Sequence, residues 1–457
     1  LSKHHRPKKY LHLISNTLKE IQGLRNCYAM QKAFYVVSQQ AVNKQLNLWS
    51  KYLPFVQPYY AVKSNPDRNM LKWLLQAGCN FDCASPREIK EIKDIFSESS
   101  QSCGYKDRII YANPHKSDSD IREVRELGIT TTVIDSIEGV QDLEQNNYSA
   151  DVFVRIAVDD SESSSPFSIK FGAHEQQWST IIDYLYKCHT VNRLKGVSFH
   201  VGSGSKNPVQ YKKAIETSRK FASMYHMRYG SGKQLKLDIG GGFLSDEENF
   251  SKASENIKDA LTTWKREDIS TYPNQIIAEP GRFFSSPSHT LFVPIIHKKK
   301  TPHGFSYIID ESIYGQFSAI PFDHAKPYWI SANTTNTTNT TNTTNTTNTT
   351  NTTNTTNTTN TTKGIIFGRT CDSIDMIAYS DKMPIMNKGD YLCFPNMGAY
   401  TRVSASEFNG FPLPDLIYDD NTDSVSQMLL NMTNRVNEKD VIFPIETVSK
   451  VSLSNNI

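Results

Sequence analysis

An α/β architecture, a closed (β/α)8 TIM-type barrel joined to a C-terminal all-β domain, follows from three features of the 457-residue chain. Short β-branched or aromatic runs recur between Pro58 and Arg282, amphipathic segments separate most of them, and beyond about Arg282 the helical periodicity nearly vanishes. Strands alternating with helices imply parallel pairing, because a parallel connection needs a crossover long enough to hold a helix. Eight such units in this length match the roughly 250 residues that a closed barrel occupies. An open doubly wound sheet is the competing architecture.

The barrel strands are expected at 59–63, 79–84, 108–112, 131–135, 152–157, 196–201, 235–239 and 275–278. Segments with apolar residues three and four apart, at 67–76, 87–96, 119–127, 177–188, 211–227 and 253–264, read as intervening helices. Ser85-Pro86-Arg87-Glu88 has the form of a capping box with Pro at the first helical position. In the second domain the runs at 290–297, 305–309, 364–367, 390–394 and 400–404 read as strands, and 425–432 is the one helical candidate. A chain of this length is expected to divide. The boundaries fall at 1–38 for an N-terminal segment packing with the β domain (34–38 is strand-like), 39–282 for the barrel and 283–457 for the β domain.

An uninterrupted Asn-Thr-Thr repeat at 333–362 interrupts that second domain. Without an apolar residue it cannot offset its own ordering entropy, so it reads as a disordered loop insert. Every repeat matches a glycosylation acceptor, a match without meaning outside the secretory pathway.

A formal charge of +3 on 50 basic and 47 acidic side chains argues against a nucleic-acid partner. The basic opening from Lys3 to Lys9 reads as a solvated terminus. No apolar run is long enough to cross a bilayer or serve as a signal sequence, so no membrane is expected. The seven cysteines are odd in number and dispersed, which suits reduced thiols, a cytoplasmic location and no metal site.

In such a barrel, reactive groups belong at the C-terminal ends of the strands. Lys63 closes the first expected strand, Asp82 lies near the end of the second, Arg155 lies in the fifth and His200 near the end of the sixth. Gly240, Gly241 and Gly242 follow the seventh, and Glu279 with Arg282 follows the eighth. A lysine, an acid, a glycine cradle and an arginine around one mouth are what pyridoxal 5'-phosphate requires: an amine for a Schiff base, a carboxylate for the pyridine nitrogen, and backbone N–H groups with a guanidinium for the phosphate. Each residue also has an ordinary reading. A strand-end lysine is usually a solvated charge, three glycines are often a tight turn, a single histidine is commonly a core residue, and Glu88 serves a cap more readily than a reaction. Only the joint order favours the site.

That order resembles the fold type III ornithine/diaminopimelate/arginine decarboxylase family, whose barrel is alanine-racemase-like. The resemblance rests on Pro-Tyr-Tyr-Ala-Val-Lys63-Ser-Asn, Phe-Asp82-Cys-Ala-Ser, Ser-Phe-His200-Val-Gly-Ser203-Gly, Asp238-Ile-Gly-Gly-Gly242-Phe and Ala-Glu279-Pro-Gly-Arg282. It continues through Tyr314-Gly-Gln-Phe, Phe322-Asp323-His-Ala, Cys371-Asp372-Ser-Ile-Asp375, Asn396-Met-Gly-Ala-Tyr400 and Phe408-Asn-Gly-Phe. The resemblance implies that Lys63 carries the cofactor, His200 stacks on its ring and Glu279 pairs with the pyridine nitrogen. Ser203, Gly242, Arg282 and Tyr400 would bind the phosphate. Cys371 would return a proton to the substrate, and Asp323 and Asp372, with Phe322 beside them, would bind its distal ammonium.

The resemblance further implies a homodimer with shared active sites, Cys371 and Asp372 entering the other subunit's barrel and Lys170 pairing with Asp375 across the interface. Cys371-Asp372-Ser373, where diaminopimelate enzymes carry Cys-Glu-Ser, points to ornithine as substrate, putrescine and carbon dioxide as products, and polyamine synthesis as the setting. Phe322 replaces a common tyrosine, and Ser373-Ile374 replaces the usual Gly-Leu. The alternatives are a decarboxylase of lysine or another basic amino acid, and an inactive homologue that binds antizyme. Antizyme is thus the second protein partner that the resemblance raises.

Overall fold

The computed structural model describes residues 31–99, 104–188, 192–230, 234–332 and 361–419. The basic opening, residues 333–360 of the repeat and the helical candidate at 425–432 lie outside the described residues. Two compact units divide the described residues: 38–288 with 398–403, and the other described residues.

The first unit is a closed eight-stranded barrel of Val56–Ala61, Asn80–Cys83, Ile109–Tyr111, Thr131–Ile134, Ala150–Arg155, Asn192–Ser198, Lys236–Asp238 and Ile276–Ala278, all pairs parallel. Closure joins the last strand to the first, with Ile276, Ile277 and Ala278 opposite Val56, Gln57 and Pro58. Tyr59, Ile110, Val133, Phe153 and Ile277 pack as a small buried cluster. Gly196 is part of how Phe153 is accommodated, since a Cβ there would lie 2.4 Å from the phenyl ring.

Six of the described helices outside the strands begin at side-chain caps, while Val209–Tyr229 follows Pro208 without one. Ser38, Asp67, Ser85, Ser117, Ser136 and Asp246 each accept a hydrogen bond from a first-turn N–H, an arrangement worth typically about 1 kcal/mol per helix. The capping box at Ser85 is only half formed. Ser85 Oγ accepts from Glu88 N–H at 3.3 Å, but Glu88 Oε2 takes the Ala84 N–H at 2.6 Å and not that of Ser85.

The second unit is an eight-stranded sheet. Its main path runs Ile330–Ala332, Tyr391–Phe394, His289–Thr301, Gly304–Ile309, Thr361–Phe367 and Met376–Pro384, and Phe34–Ser38 joins it to Asp415–Asp419. Phe34 to Val37 pair antiparallel with Phe292 to His289, burying Phe34 against Phe292 with ring centroids 5.1 Å apart.

Two expectations are corrected. Thr361 and Thr362, read as the end of the disordered repeat, open a strand and pair with Pro384 and Met383, a placement that suits β-branched side chains. Residues 400–404, read as a strand, form no strand. Tyr400 has φ +55° and Arg402–Ser404 is a 3-10 turn, because the preceding Asn396 (φ +59°) already bends the backbone out of the extended region. No helix of the described residues is long and apolar enough to cross a membrane.

Candidate active site

The C-terminal mouth of the barrel gathers buried charge at a density that a folded protein tolerates only where groups pair. Lys63 stands in the 3-10 turn Val62–Ser64 immediately after the first strand, two residues beyond the strand's end at Ala61, whereas the sequence placed it as the strand's last residue. Its Nζ donates to Asp82 Oδ2 at 2.5 Å, and Asp82 is fully buried on the adjoining strand. Burial opposes the ammonium charge, but Asp82 and then Glu279 more than offset it, holding the Lys63 pKa above the usual lysine range.

His200 lies two residues past the sixth strand. Burial, then Arg155 and Lys63, push its pKa well below the usual histidine value, so it stays neutral. Its Nδ1 accepts the Gly202 N–H at 3.0 Å, which leaves the ring proton on Nε2. Phe167 contacts the imidazole edge-on at 4.9 Å, and the Arg155 guanidinium lies 4.8 Å from the centroid of the Phe171 ring. Neither phenylalanine carries a polar group by which the sequence could have marked it.

The glycine run is a close-approach cradle. Gly240 has φ +63°, and a Cβ there would meet the Phe199 carbonyl oxygen at 2.1 Å. A Cβ on Gly242 (φ +96°) would meet the Gly202 carbonyl oxygen at 2.5 Å, and one on Gly241 would lie 2.6 Å from the Glu279 carbonyl oxygen and 2.9 Å from His200 Nε2. Any side chain in the run would fill this space. Beside it, Arg282 donates to Ser203 Oγ at 3.0 Å and its guanidinium lies 5.0 Å from the centroid of the Tyr400 ring. Tyr400 is fastened to the barrel by its own N–H, which donates to the Ser64 carbonyl at 3.0 Å. Gly240→Ala is expected to cost about 2–4 kcal/mol of stability, from left-handed backbone strain plus overpacking. Thermal unfolding of the cofactor-free variant checks this, and an unchanged melting temperature would contradict it.

Among the described buried polar atoms, Asp82 Oδ1, Asp238 Oδ2 and Glu279 Oε1 have no hydrogen-bond partner. Burial, then Asp238 and Asp82, raise the Glu279 pKa well above the carboxylate range. An orphaned carboxylate, an amine, a glycine cradle that a Cβ would fill, and a guanidinium beside a serine hydroxyl fit pyridoxal phosphate as a donor set. Lys63, Asp82, Arg155, His200, Ser203, Gly240, Gly241, Gly242, Glu279, Arg282 and Tyr400 all belong to the barrel unit. Asp238 joins them as a residue to which sequence reasoning gave no role, although its place at a strand end just before the glycines was a usable signal.

The β unit holds the other expected site residues. Cys371 is exposed, with its N–H donating to Asn409 Oδ1 at 3.1 Å. Asp372 Oδ2 accepts the Tyr314 hydroxyl at 2.5 Å, and Phe408 packs on that phenol at 4.4 Å. The Tyr314 hydroxyl, helped by backbone N–H groups, holds the Asp372 pKa below the usual carboxylate range. Phe322 and Asp323 end the short helix Ala319–Asp323, where Phe322 is 78% exposed. Asp375 is 1% exposed, and its oxygens accept from Ile313 N–H, Thr370 N–H and Thr370 Oγ1 of its own chain. Its observed role is therefore to hold the Cys371 loop. Lys170, its expected cross-subunit partner, lies exposed in the barrel unit over Phe171.

Comparison with known proteins points to the same cofactor. Residues 39–286 match the family model of the pyridoxal-dependent decarboxylase pyridoxal-binding domain. The chain is 35% identical over 410 residues to ornithine decarboxylase of Schizosaccharomyces pombe, covering 89% of this chain and 88% of that one. It is 33% identical over 395 residues to antizyme inhibitor 2 of Xenopus laevis, covering 83% and 79%. The structure of arginine decarboxylase from Paramecium bursaria Chlorella virus, bound to agmatine, superposes with a TM-score of 0.73 at 31% identity, covering 85% of this chain and 97% of that one. With a family match over more than half of its length and a lysine, a carboxylate and a glycine cradle at one barrel mouth, the chain belongs to the fold type III pyridoxal-dependent decarboxylases and is a pyridoxal-phosphate-dependent amino-acid decarboxylase.

Proposed function

We propose that the chain decarboxylates L-ornithine to putrescine and carbon dioxide, supplying polyamine synthesis, as a cytoplasmic homodimer with shared active sites. The observation that carries the substrate assignment is Asp372, kept anionic by the Tyr314 hydroxyl at 2.5 Å beside the exposed Cys371. A fixed anion of this kind suits a terminal ammonium.

Bound pyridoxal phosphate supplies the electron sink that accepts the electron pair released as carbon dioxide leaves. Lys63 carries the cofactor, with Asp82 holding the lysine's proton when the amine is free. Glu279 would hold a proton at the cofactor's ring nitrogen, and His200, held neutral, would contact the cofactor without adding charge. Ser203, Arg282, Tyr400 and the backbone of Gly240, Gly241 and Gly242 hold the phosphate. Cys371 Sγ, entering from the second copy, returns a proton to the α-carbon, while Asp372 and Asp323, flanked by Phe322, hold the distal ammonium and so set side-chain length.

Carbon dioxide release from ornithine, lysine, arginine and diaminopimelate tests this reading. Ornithine is expected to be preferred, and Asp372→Ala to raise the KM for ornithine by on the order of tenfold to a hundredfold, as expected for losing a charge-assisted contact. Preference for another amino acid would overturn the substrate assignment. The similarity to antizyme inhibitor 2 supports a second reading, an antizyme-binding protein without activity. Silence with all four substrates in a protein that binds the cofactor would favour it.

A further inference from the structure

Glu311, a carboxyl of the β unit that is only 6% exposed, follows the strand Gly304–Ile309 and has no role in the reaction described above. Its Oε2 accepts the backbone N–H groups of Ser312 at 3.1 Å and of Gln316 at 3.0 Å, which draws residues 312–316 into a tight turn. The Ser312 carbonyl completes the turn by accepting from Gly315 N–H and Phe317 N–H, each at 3.1 Å. The carboxyl fits there because residue 315 is glycine, since a Cβ would lie 2.3 Å from Glu311 Oε2. Asp310 next to it is committed elsewhere: Oδ1 accepts from Arg369 at 2.6 Å and Oδ2 from the Ala33 N–H at 2.8 Å.

That turn carries Tyr314, whose hydroxyl donates to Asp372 Oδ2 at 2.5 Å. Glu311 also holds the segment that bears Asp372, because its carbonyl accepts the Arg369 N–H at 3.0 Å just before Cys371. Ile313, within the turn, donates its N–H to Asp375 Oδ1 at 2.9 Å, just beyond Asp372. Both the donor and the acceptor of the Tyr314–Asp372 hydrogen bond are therefore placed from Glu311. The Ser406 N–H, donating to the Tyr314 carbonyl at 2.8 Å, anchors the tyrosine backbone separately, so loss of Glu311 disturbs the aim of the hydroxyl more than the segment as a whole. We propose that Glu311 is a positioning residue for recognition of the substrate's distal ammonium: it aims the Tyr314 hydroxyl at Asp372 and so fixes the direction of that carboxylate. This rests on the assignment of Asp372 to the ammonium.

Burial pushes the Glu311 carboxyl up to about 7, so near neutral pH a Gln amide keeps a carbonyl acceptor for the turn with little change of charge. Ala removes the acceptor. Gly315→Ala retains Glu311 but puts a methyl group where its carboxyl lies. The experiment compares wild type with Glu311→Gln, Glu311→Ala, Gly315→Ala, Tyr314→Phe and the double variant Glu311→Ala/Tyr314→Phe, as cofactor-loaded full chains near neutral pH. It reads KM and kcat for ornithine and, without substrate, peptide-resolved hydrogen exchange over residues 312–317 and 368–376.

Glu311→Ala and Gly315→Ala are each expected to raise KM on the order of fivefold, with kcat within about twofold of wild type, the size of one lost hydrogen bond. Glu311→Gln is expected to match wild type. In the Tyr314→Phe background, Glu311→Ala is expected to add less than about twofold, because its effect runs through the phenol. Exchange over both segments is expected to quicken on the order of tenfold in Glu311→Ala but not in Glu311→Gln, while the barrel strands exchange as in wild type. An unchanged KM, a KM effect that multiplies in full with that of Tyr314→Phe, or a lower melting temperature with KM unmoved would overturn the proposal. If Glu311→Ala does not fold, Gly315→Ala and Glu311→Gln decide. If ornithine is not turned over, the substrate assignment fails while exchange still decides on Glu311: unchanged exchange, or a rise shared by the barrel strands, overturns its placing of the two segments.

Discussion

Lys63→Ala is expected to lower decarboxylation on the order of 10⁴-fold or more, about 5.4 kcal/mol of transition-state stabilisation. The loss is large because the residue has no neighbour that can stand in for it. Its Nζ is the amine that contacts Asp82, at the strand end that also faces Glu279. Removing it also leaves Asp82, fully buried, without its cation, so the cofactor-free variant should lose stability. Comparing kcat with the melting temperature separates the chemical from the structural effect. A variant that keeps even a tenth of the wild-type kcat would remove Lys63 from its assigned role.

Glu279→Gln is the second large effect, a fall in kcat of about 10²–10³-fold, in the range for deleting one preorganised electrostatic group. Gln preserves shape but cannot hold a proton at the ring nitrogen as a carboxylate does. Stability should move the other way. Because burial, Asp238 and Asp82 all disfavour the Glu279 anion, neutralising it should stabilise cofactor-free protein above the unfolded carboxylate pKa, most clearly on the alkaline side. A variant less active yet harder to unfold is the pattern expected of a site that carries strain for function. Loss of both activity and stability would mark Glu279 as a structural residue.

The barrel was legible because its strands are short, largely buried and written in β-branched and aromatic residues. All eight expected runs overlap observed strands, with shifts of a few residues at their ends. The helix Ile137–Gln145 was not singled out. It is nine residues long, contains Gly139 and buries only Val140 and Leu143, so its apolar stripe is too thin to read. The strand Met376–Pro384 was hidden by its exposed Asp381-Lys382 pair, which breaks the alternation. Tyr400 misled in the opposite sense: its aromatic, β-favouring neighbourhood suggested a strand, whereas its backbone is left-handed and its N–H is taken by Ser64.

For the candidate site, residue type and order exposed Lys63, Glu279 and the glycine run. The nearness of Asp238 to Glu279 was invisible, because it depends on neighbouring strands of a closed sheet bringing together residues far apart in sequence. The grip of Tyr314 on Asp372 likewise depends on a fold contact across 58 residues.

The most direct test is to load the full chain with pyridoxal phosphate, reduce the cofactor–lysine linkage with borohydride, and locate the label by peptide mass spectrometry. The competitor is Lys116, whose amine burial lowers to about 7 and which is therefore easily neutral. A single label on the peptide containing Lys63 is the expected result. A label on Lys116 or any other lysine, with Lys63 unmodified, would contradict it.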